Sequence, residues 1–311
     1  MNNRVRLHSL IWVIVISIGF YSVQGGILGI VTGGVHHLQG PPKTNITDNN
    51  QLALAMVIVI PLMNYLRMQS ANTAVRYAIL GCIALSAVGV LTTYSRGGFI
   101  GLVTILLYSW FKSKRKIVTL IILSLITIPA IQLMPGKWFS RIDTIDNAEE
   151  DSSFQGRIDA WEVSLNLALK RPFLGGGFSA IESYDVTMRY KSPDQELSRG
   201  RAAHSIYFQV LGDLGFVGLF VFLIYLSIGW LEGRSVIRLT MNQPTLKWAS
   251  DMANMIHVSL IGFMVSGAAL SVAYFDIALI QVAISSMLHR VVIKSLQTEP
   301  GTVKNPIQYQ V

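Results

Sequence analysis

Hydrophobic residues in this chain come in long, nearly unbroken runs. Eight stand out, over residues 7–30, 51–66, 76–94, 97–111, 117–134, 206–230, 252–273 and 276–293. A helix needs roughly 20 residues to cross a bilayer, and a helix satisfies its own backbone in lipid. The pattern predicts an all-α, polytopic membrane protein of about eight transmembrane helices. Gly25, Gly26, Gly29, Gly33 and Gly34 crowd the end of the first run, so its outer part is expected to be re-entrant or interfacial. The second run follows Asp48-Asn49-Asn50, good helix N-cap residues. The last two runs are joined tightly near Asp276.

The rhythm breaks over 135–205, a stretch too long for a simple connector. Inside it Ile158, Trp161, Leu165 and Ala168 recur at spacings of three and four, one apolar stripe of an amphipathic helix. Such a helix is suited to lying flat on a membrane surface. Pro172 and Gly175-Gly176-Gly177 end it. The expected organisation is an N-terminal membrane segment over 1–74, a membrane domain over 75–293 containing the loop 135–205, and a tail over 294–311.

Composition agrees. Hydrophobic residues make up 51% of the 311 positions and charged residues 14%, against about a quarter charged in soluble domains. The net charge of +8 would suit a nucleic-acid partner, but its distribution gives another reason for it. With the N-terminus inside, the inner segments hold 14 of the 25 basic residues, while the loop 135–205 holds nine basic and 11 of the 17 acidic ones. This is the bias that orients membrane helices. It predicts cytoplasmic N- and C-termini, an extracytoplasmic loop and no nucleic-acid partner. Arg4 and Arg6 precede an apolar stretch from Leu10 to Phe20, as in a signal peptide, but no small-x-small cleavage site follows, so a first spanning helix is the expectation. The single cysteine, Cys82, lies in an apolar run and reads as a packing residue.

Candidate chemistry gathers at the outer boundaries of the runs. Arg96, in Tyr94-Ser95-Arg96-Gly97-Gly98, sits between two spans. Glycines let a ligand approach the backbone, and the helix that follows offers free amides to an anion. The other reading is an arginine that snorkels to anchor its helix. Arg157 opens the amphipathic helix and fits either an anion site or a surface ion pair with Asp159 or Glu162. Arg171, Arg189, Arg199 and Arg201 are further loop cations able to touch phosphate. His204, in Ala203-His204-Ser205, stands where polar loop becomes membrane helix; it is either a proton acceptor or an interfacial cap. Asp213 either orients a partner group or makes a polar helix contact. Gly215 and Gly218 read as close-packing positions. His36-His37 lacks a third metal ligand nearby, and Asp146, Glu149, Glu150 and Asp151 read mainly as a solvated acidic loop. Asp276 fits a proton relay or a hairpin turn.

Several stretches together resemble the O-antigen ligase family of bacterial membrane glycosyltransferases: Ser95-Arg96-Gly97-Gly98; Gly156-Arg157 with Trp161; Arg171-Pro172-Phe173-Leu174-Gly175-Gly176-Gly177-Phe178; and Ala203-His204-Ser205 followed by Gly212-Asp213-Leu214-Gly215-Phe216-Val217-Gly218. In addition, Thr32-Gly33-Gly34-Val35-His36-His37 through Gly40-Pro41-Pro42 to Asp48-Asn49-Asn50-Gln51-Leu52-Ala53-Leu54-Ala55 is similar to the O-glycosylation ligases associated with exosortase A systems.

The resemblance implies a GT-C-like helical fold in the bacterial inner membrane. It implies metal-independent, inverting transfer, without a cofactor, of a glycan from undecaprenyl diphosphate to a hydroxyl of a protein or lipid acceptor on the periplasmic side. Arg96 and Arg157 would grip the diphosphate and His204 would activate the acceptor, with Arg171, Arg201 and Asp213 in support. Ligases of this kind carry more helices ahead of the matched region, so a shortened form, or dependence on a partner, is expected. A rival within the same chemistry is an O-antigen or exopolysaccharide polymerase. A rival of another class is a polysaccharide transporter or flippase, or a membrane scaffold. A transporter predicts polar groups near the bilayer centre and broken inner helices, whereas these spans are nearly free of charge.

Overall fold

The computed structural model describes residues 3–35, 37–113, 116–117, 121, 124, 152–193, 195 and 197–298. Among them the chain is helical and contains no strand. The helices are α1 (Arg4–Val31), α2 (Asn49–Gln69), α3 (Thr73–Thr92), α4 (Arg96–Lys112), α5 (Ser152–Lys170), α6 (Tyr184–Tyr190), α7 (Ile206–Leu239), α8 (Lys247–Gly267) and α9 (Asp276–Thr298). Short 3-10 turns occupy Ala180–Glu182 and Pro244–Leu246. Seven of the eight apolar runs thus coincide with helices. The run 117–134 falls almost wholly outside the described residues. The run 252–273 is helical only to Gly267, and the last helix continues past 293 to Thr298.

Five of these helices, α1, α2, α3, α7 and α9, are long and apolar enough to cross a membrane. α4, with 17 residues, sits at the short limit for a span. Val13, Ile16, Phe20 and Ile27 on α1, and Phe216, Val217, Phe220, Val221 and Leu231 on α7, are exposed. Apolar surface on that scale is what a lipid-facing helix presents and what a water-soluble protein avoids.

α2 is the central helix. Every residue from Leu52 to Leu66 is buried except Asn64, as expected of a helix that is apolar all round. α1 and α3 pack against one another and against α2, α8 lies against α2, α4 and α7, and α9 runs along α7. The glycines of α1 explain the tight crossing with α3. A Cβ on Gly26 would come within 2.0 Å of the Leu85 carbonyl oxygen, and one on Gly29 within 2.3 Å of the Thr92 methyl. Of the two expectations for the outer part, re-entrant or interfacial, the first is corrected: α1 is one continuous helix to Val31 in which Gly26 and Gly29 serve helix contact, and Gly33 and Gly34, both at positive φ, follow it in a turn.

The bundle has two distinct ends. At one, the start of α1, the end of α2 and the start of α8 meet: Arg4 donates to Gln69 (3.5 Å) and Gln69 to Asp251 (3.0 Å). At the other, the start of α2 meets the end of α3, with Asn49 donating to the Thr93 carbonyl (2.8 Å), and the turn before α9 meets the start of α7, with the Ala273 amide donating to Gln209 (3.0 Å).

Candidate active site at one end of the bundle

The second end carries the residues singled out from sequence. α4 begins at Arg96 because Ser95 caps it, its hydroxyl accepting from the Gly98 amide at 3.1 Å. The two glycines after Arg96 let that first turn wedge between neighbours. A Cβ on Gly97 would lie 3.2 Å from Leu270, and one on Gly98 2.5 Å from the Cβ of Ala53. Arg96 is half-buried at this wedge.

His204 immediately precedes α7 and has φ +46, left-handed for a residue with a side chain. Such a conformation costs about 1–3 kcal/mol and persists only where surroundings impose it. Two contacts do so. The His204 amide donates to the Ser271 hydroxyl at 2.7 Å, and the carbonyl of the preceding Ala203 accepts from the Trp161 indole at 2.7 Å. Gly97 touches Leu270 while His204 holds Ser271, so the first turn of α4 and the histidine grip consecutive residues of one turn. Tyr94, two residues ahead of Arg96, is also left-handed, at φ +55, and its hydroxyl donates to the Gly34 carbonyl.

Arg157 lies in α5, close enough to act electrostatically on His204. The protein mass around the imidazole holds its pKa below the ordinary 6.5, and the Arg157 charge lowers it further, while Asp48 at the start of α2 acts in the opposite direction. Arg201 belongs to the same cluster: a Cβ on Gly156 would fall 1.7 Å from its Nη1. Its Nε is buried without a hydrogen-bond partner among the described residues. A cationic nitrogen left in that state costs free energy until an anion meets it. Arg96, Arg157, Arg201 and His204 therefore share one end of the bundle, with Asp48 within electrostatic reach of the histidine.

The amphipathic helix differs from its expected face. The buried positions of α5 are Gly156, Ala160, Val163, Ser164, Leu167 and Ala168, while Leu165 is 39% exposed. The reason is Trp161, which stacks on Phe208 of α7 with centroids 4.9 Å apart. That contact turns α5 toward α7 and the turn at Ala180–Glu182, against which its buried face packs, while Leu165 and Leu169 stay exposed.

Two glycine-rich stretches interlock beside it. The Gly176 and Gly177 amides donate to the carbonyls of Gly212 and Asp213, both at 2.9 Å, and the Phe216 amide donates to the Pro172 carbonyl at 2.9 Å. Gly215 has φ +68 and breaks α7; a Cβ there would lie 2.5 Å from the Pro172 oxygen. Gly215 thus forms a kink where helix–helix packing was expected. Asp213 is buried in this latch and accepts from the Tyr274 hydroxyl at 3.1 Å and from the Ser179 and Ala180 amides. Arg171 is exposed at the end of α5, as are Arg189 and Arg199. Asp276 is exposed at the start of α9, where Asn45 donates to it at 3.4 Å, a surface turn. His37 packs beside Tyr94; His36, Asp146, Glu149, Glu150 and Asp151 lie outside the described residues. Asp48, read from sequence only as a helix cap, and Ser271, which carried no sequence signal, are additions.

Lipid-facing apolar helices around one buried central helix define a class: this is a polytopic, all-α integral membrane protein. Residues 81–223, just under half of the chain, match the O-antigen ligase family model. The matched stretch runs from α3 into α7 and includes Arg96, Arg157, Arg171, Arg201, His204 and Asp213. The match supports placing this stretch with the O-antigen ligases and points to glycan transfer of that general type. Comparison with curated proteins returns no match.

Proposed function

We propose that the chain is a glycan ligase of the bacterial inner membrane. It moves a saccharide from a polyprenyl diphosphate to an acceptor hydroxyl on the periplasmic side, where the end of the bundle bearing Arg96, Arg157 and His204 would face. The observation that carries this reading is the crowding of cations, one with an unsatisfied buried nitrogen, around a histidine whose pKa is lowered. The matched family model supports the class of donor. The similarity of Thr32 to Ala55 to exosortase-associated O-glycosylation ligases favours that branch.

In the reaction, the acceptor oxygen attacks the anomeric carbon as the bond from that carbon to the phosphate oxygen breaks. The acceptor proton passes to the neutral imidazole of His204, and the electron pair leaves with the diphosphate. Negative charge grows on that leaving group, and guanidinium forks at Arg96 and Arg157 stabilise it through paired, charge-assisted hydrogen bonds. Arg201 would add a third cation. No metal is required by this scheme.

The test is transfer from a defined lipid-linked donor by the purified chain. His204→Ala is expected to lose about 10²–10⁴-fold in turnover, the usual share of general base catalysis, with donor affinity kept. Arg96→Ala and Arg157→Ala are expected to weaken donor binding. Transfer unchanged in His204→Ala would falsify the assignment of the base. A product lengthened on the lipid carrier would identify a polymerase.

A further inference from the structure

A large cavity opens at the opposite end of the bundle from His204. It has a volume of about 1230 Å³ and runs between α2, α3, α4, α8 and the end of α7 with the turn that follows it. That exceeds the roughly 300–1,000 Å³ of ordinary small-molecule pockets. Its deep walls are apolar, from Ile60, Ile83, Leu102 and Leu106 among others, and its mouth carries Arg67, Lys112 and Lys247. One acid, Asp251, stands among these cations, but it is already held by Lys247 at 2.7 Å and by Gln69. Among the described residues, no carboxylate pairs with Arg67 or Lys112. Arg67 bonds Asn64 through Nε at 2.9 Å, and Lys112 lies over the Tyr108 ring. Arg76 lies near enough to repel Arg67. An apolar slot capped by Arg67 and Lys112, which no carboxylate among the described residues pairs, has the two halves of an anionic amphiphile written into it: a chain between helices and a headgroup at the cations.

We propose that this cavity binds a phosphate-bearing anionic lipid, its chain between α2, α3 and α4 and its phosphate at Arg67 and Lys112. The lipid enters from the leaflet opposite the candidate active site. The ligand is either a bilayer phospholipid or a polyprenyl phosphate, which share this chemistry. The proposal rests on the cavity alone and stands whether or not the glycan-transfer reading does.

The full chain, purified and stripped of loosely held lipid, is offered phosphatidylglycerol and phosphatidylcholine in competition, and retained lipid is counted by native mass spectrometry. The expected result is preferential retention of phosphatidylglycerol. The double substitution Arg67→Gln with Lys112→Gln is expected to cut that retention about tenfold or more, because charge-assisted contacts are lost, while phosphatidylcholine retention is unchanged. Displacement of phosphatidylglycerol by an equal concentration of polyprenyl phosphate assigns the site to the latter source; its failure to displace assigns the former. Equal retention of both phospholipids by the unaltered protein, or phosphatidylglycerol retention unchanged by the double substitution, overturns the proposal. The competition on the unaltered protein needs no variant to fold.

Discussion

At the residue scale, the proposed role of His204 as proton acceptor requires a neutral imidazole, so the sign of its pKa displacement matters. Because its surroundings and Arg157 lower that pKa, the neutral form persists to lower pH than for a free imidazole. Transfer is expected to hold through pH 6.5 and to fall as pH drops through the lowered value. Asp48 opposes this shift. Asp48→Asn keeps a side chain able to cap α2 but removes the charge, so the acid limb of the pH–rate profile should move to lower pH. A limb that stays in place or moves upward would remove Asp48 from the site. Arg96 and His204 stood out in the sequence because each is a polar group at the edge of an apolar run, and Arg157 because it opens the amphipathic helix and falls in a stretch that resembles the ligases. Asp48 was visible only as a cap and Ser271 not at all, since their pairing with residue 204 spans the chain and leaves no local pattern.

At the element scale, α5 and α7 hold the histidine through Trp161. Its ring stacks on Phe208 while its indole nitrogen bonds the Ala203 carbonyl. Trp161→Phe keeps an aromatic contact and deletes the hydrogen bond, worth about 0.5–1.5 kcal/mol. Turnover should fall several-fold with donor KM nearly unchanged, as for loosened placement of one group; a change confined to KM would contradict this. The existence of α5 and its end at Pro172 were readable from periodicity and breakers. Its buried face was not, because the spacing of apolar residues admits more than one stripe, and the Trp161–Phe208 contact selects among them. The glycine-rich stretches at 175–177 and 212–218 were visible as motifs, but only their backbone hydrogen bonds show that they latch each other.

At the scale of the whole molecule, unbroken hydropathy dictates the bundle, and close helix contact sets its geometry. Gly26→Val should drive α1 from α3, since the added Cβ meets backbone rather than a movable side chain. Overpacking of this kind costs about 1–3 kcal/mol, read as a lower melting temperature in detergent; an unchanged melting temperature would mean that the crossing is loose. From sequence these glycines read as a re-entrant or interfacial end to the run, because glycine serves turns and close helix contact alike, and only the partner helix distinguishes the uses. The sequence also located the apolar spans, while the cavity lined by Arg67 and Lys112 left no motif, being assembled from residues on five helices and the turn between α7 and α8.

The most direct test of the account is mapping where a polyprenyl-diphosphate glycan carrying a photoreactive group beside its diphosphate attaches to the protein. Crosslinks in peptides around Arg96, Arg157 and His204 together, competed away by unlabelled donor, are the predicted result. Crosslinks confined to one of these segments, or absent from all three, would contradict it.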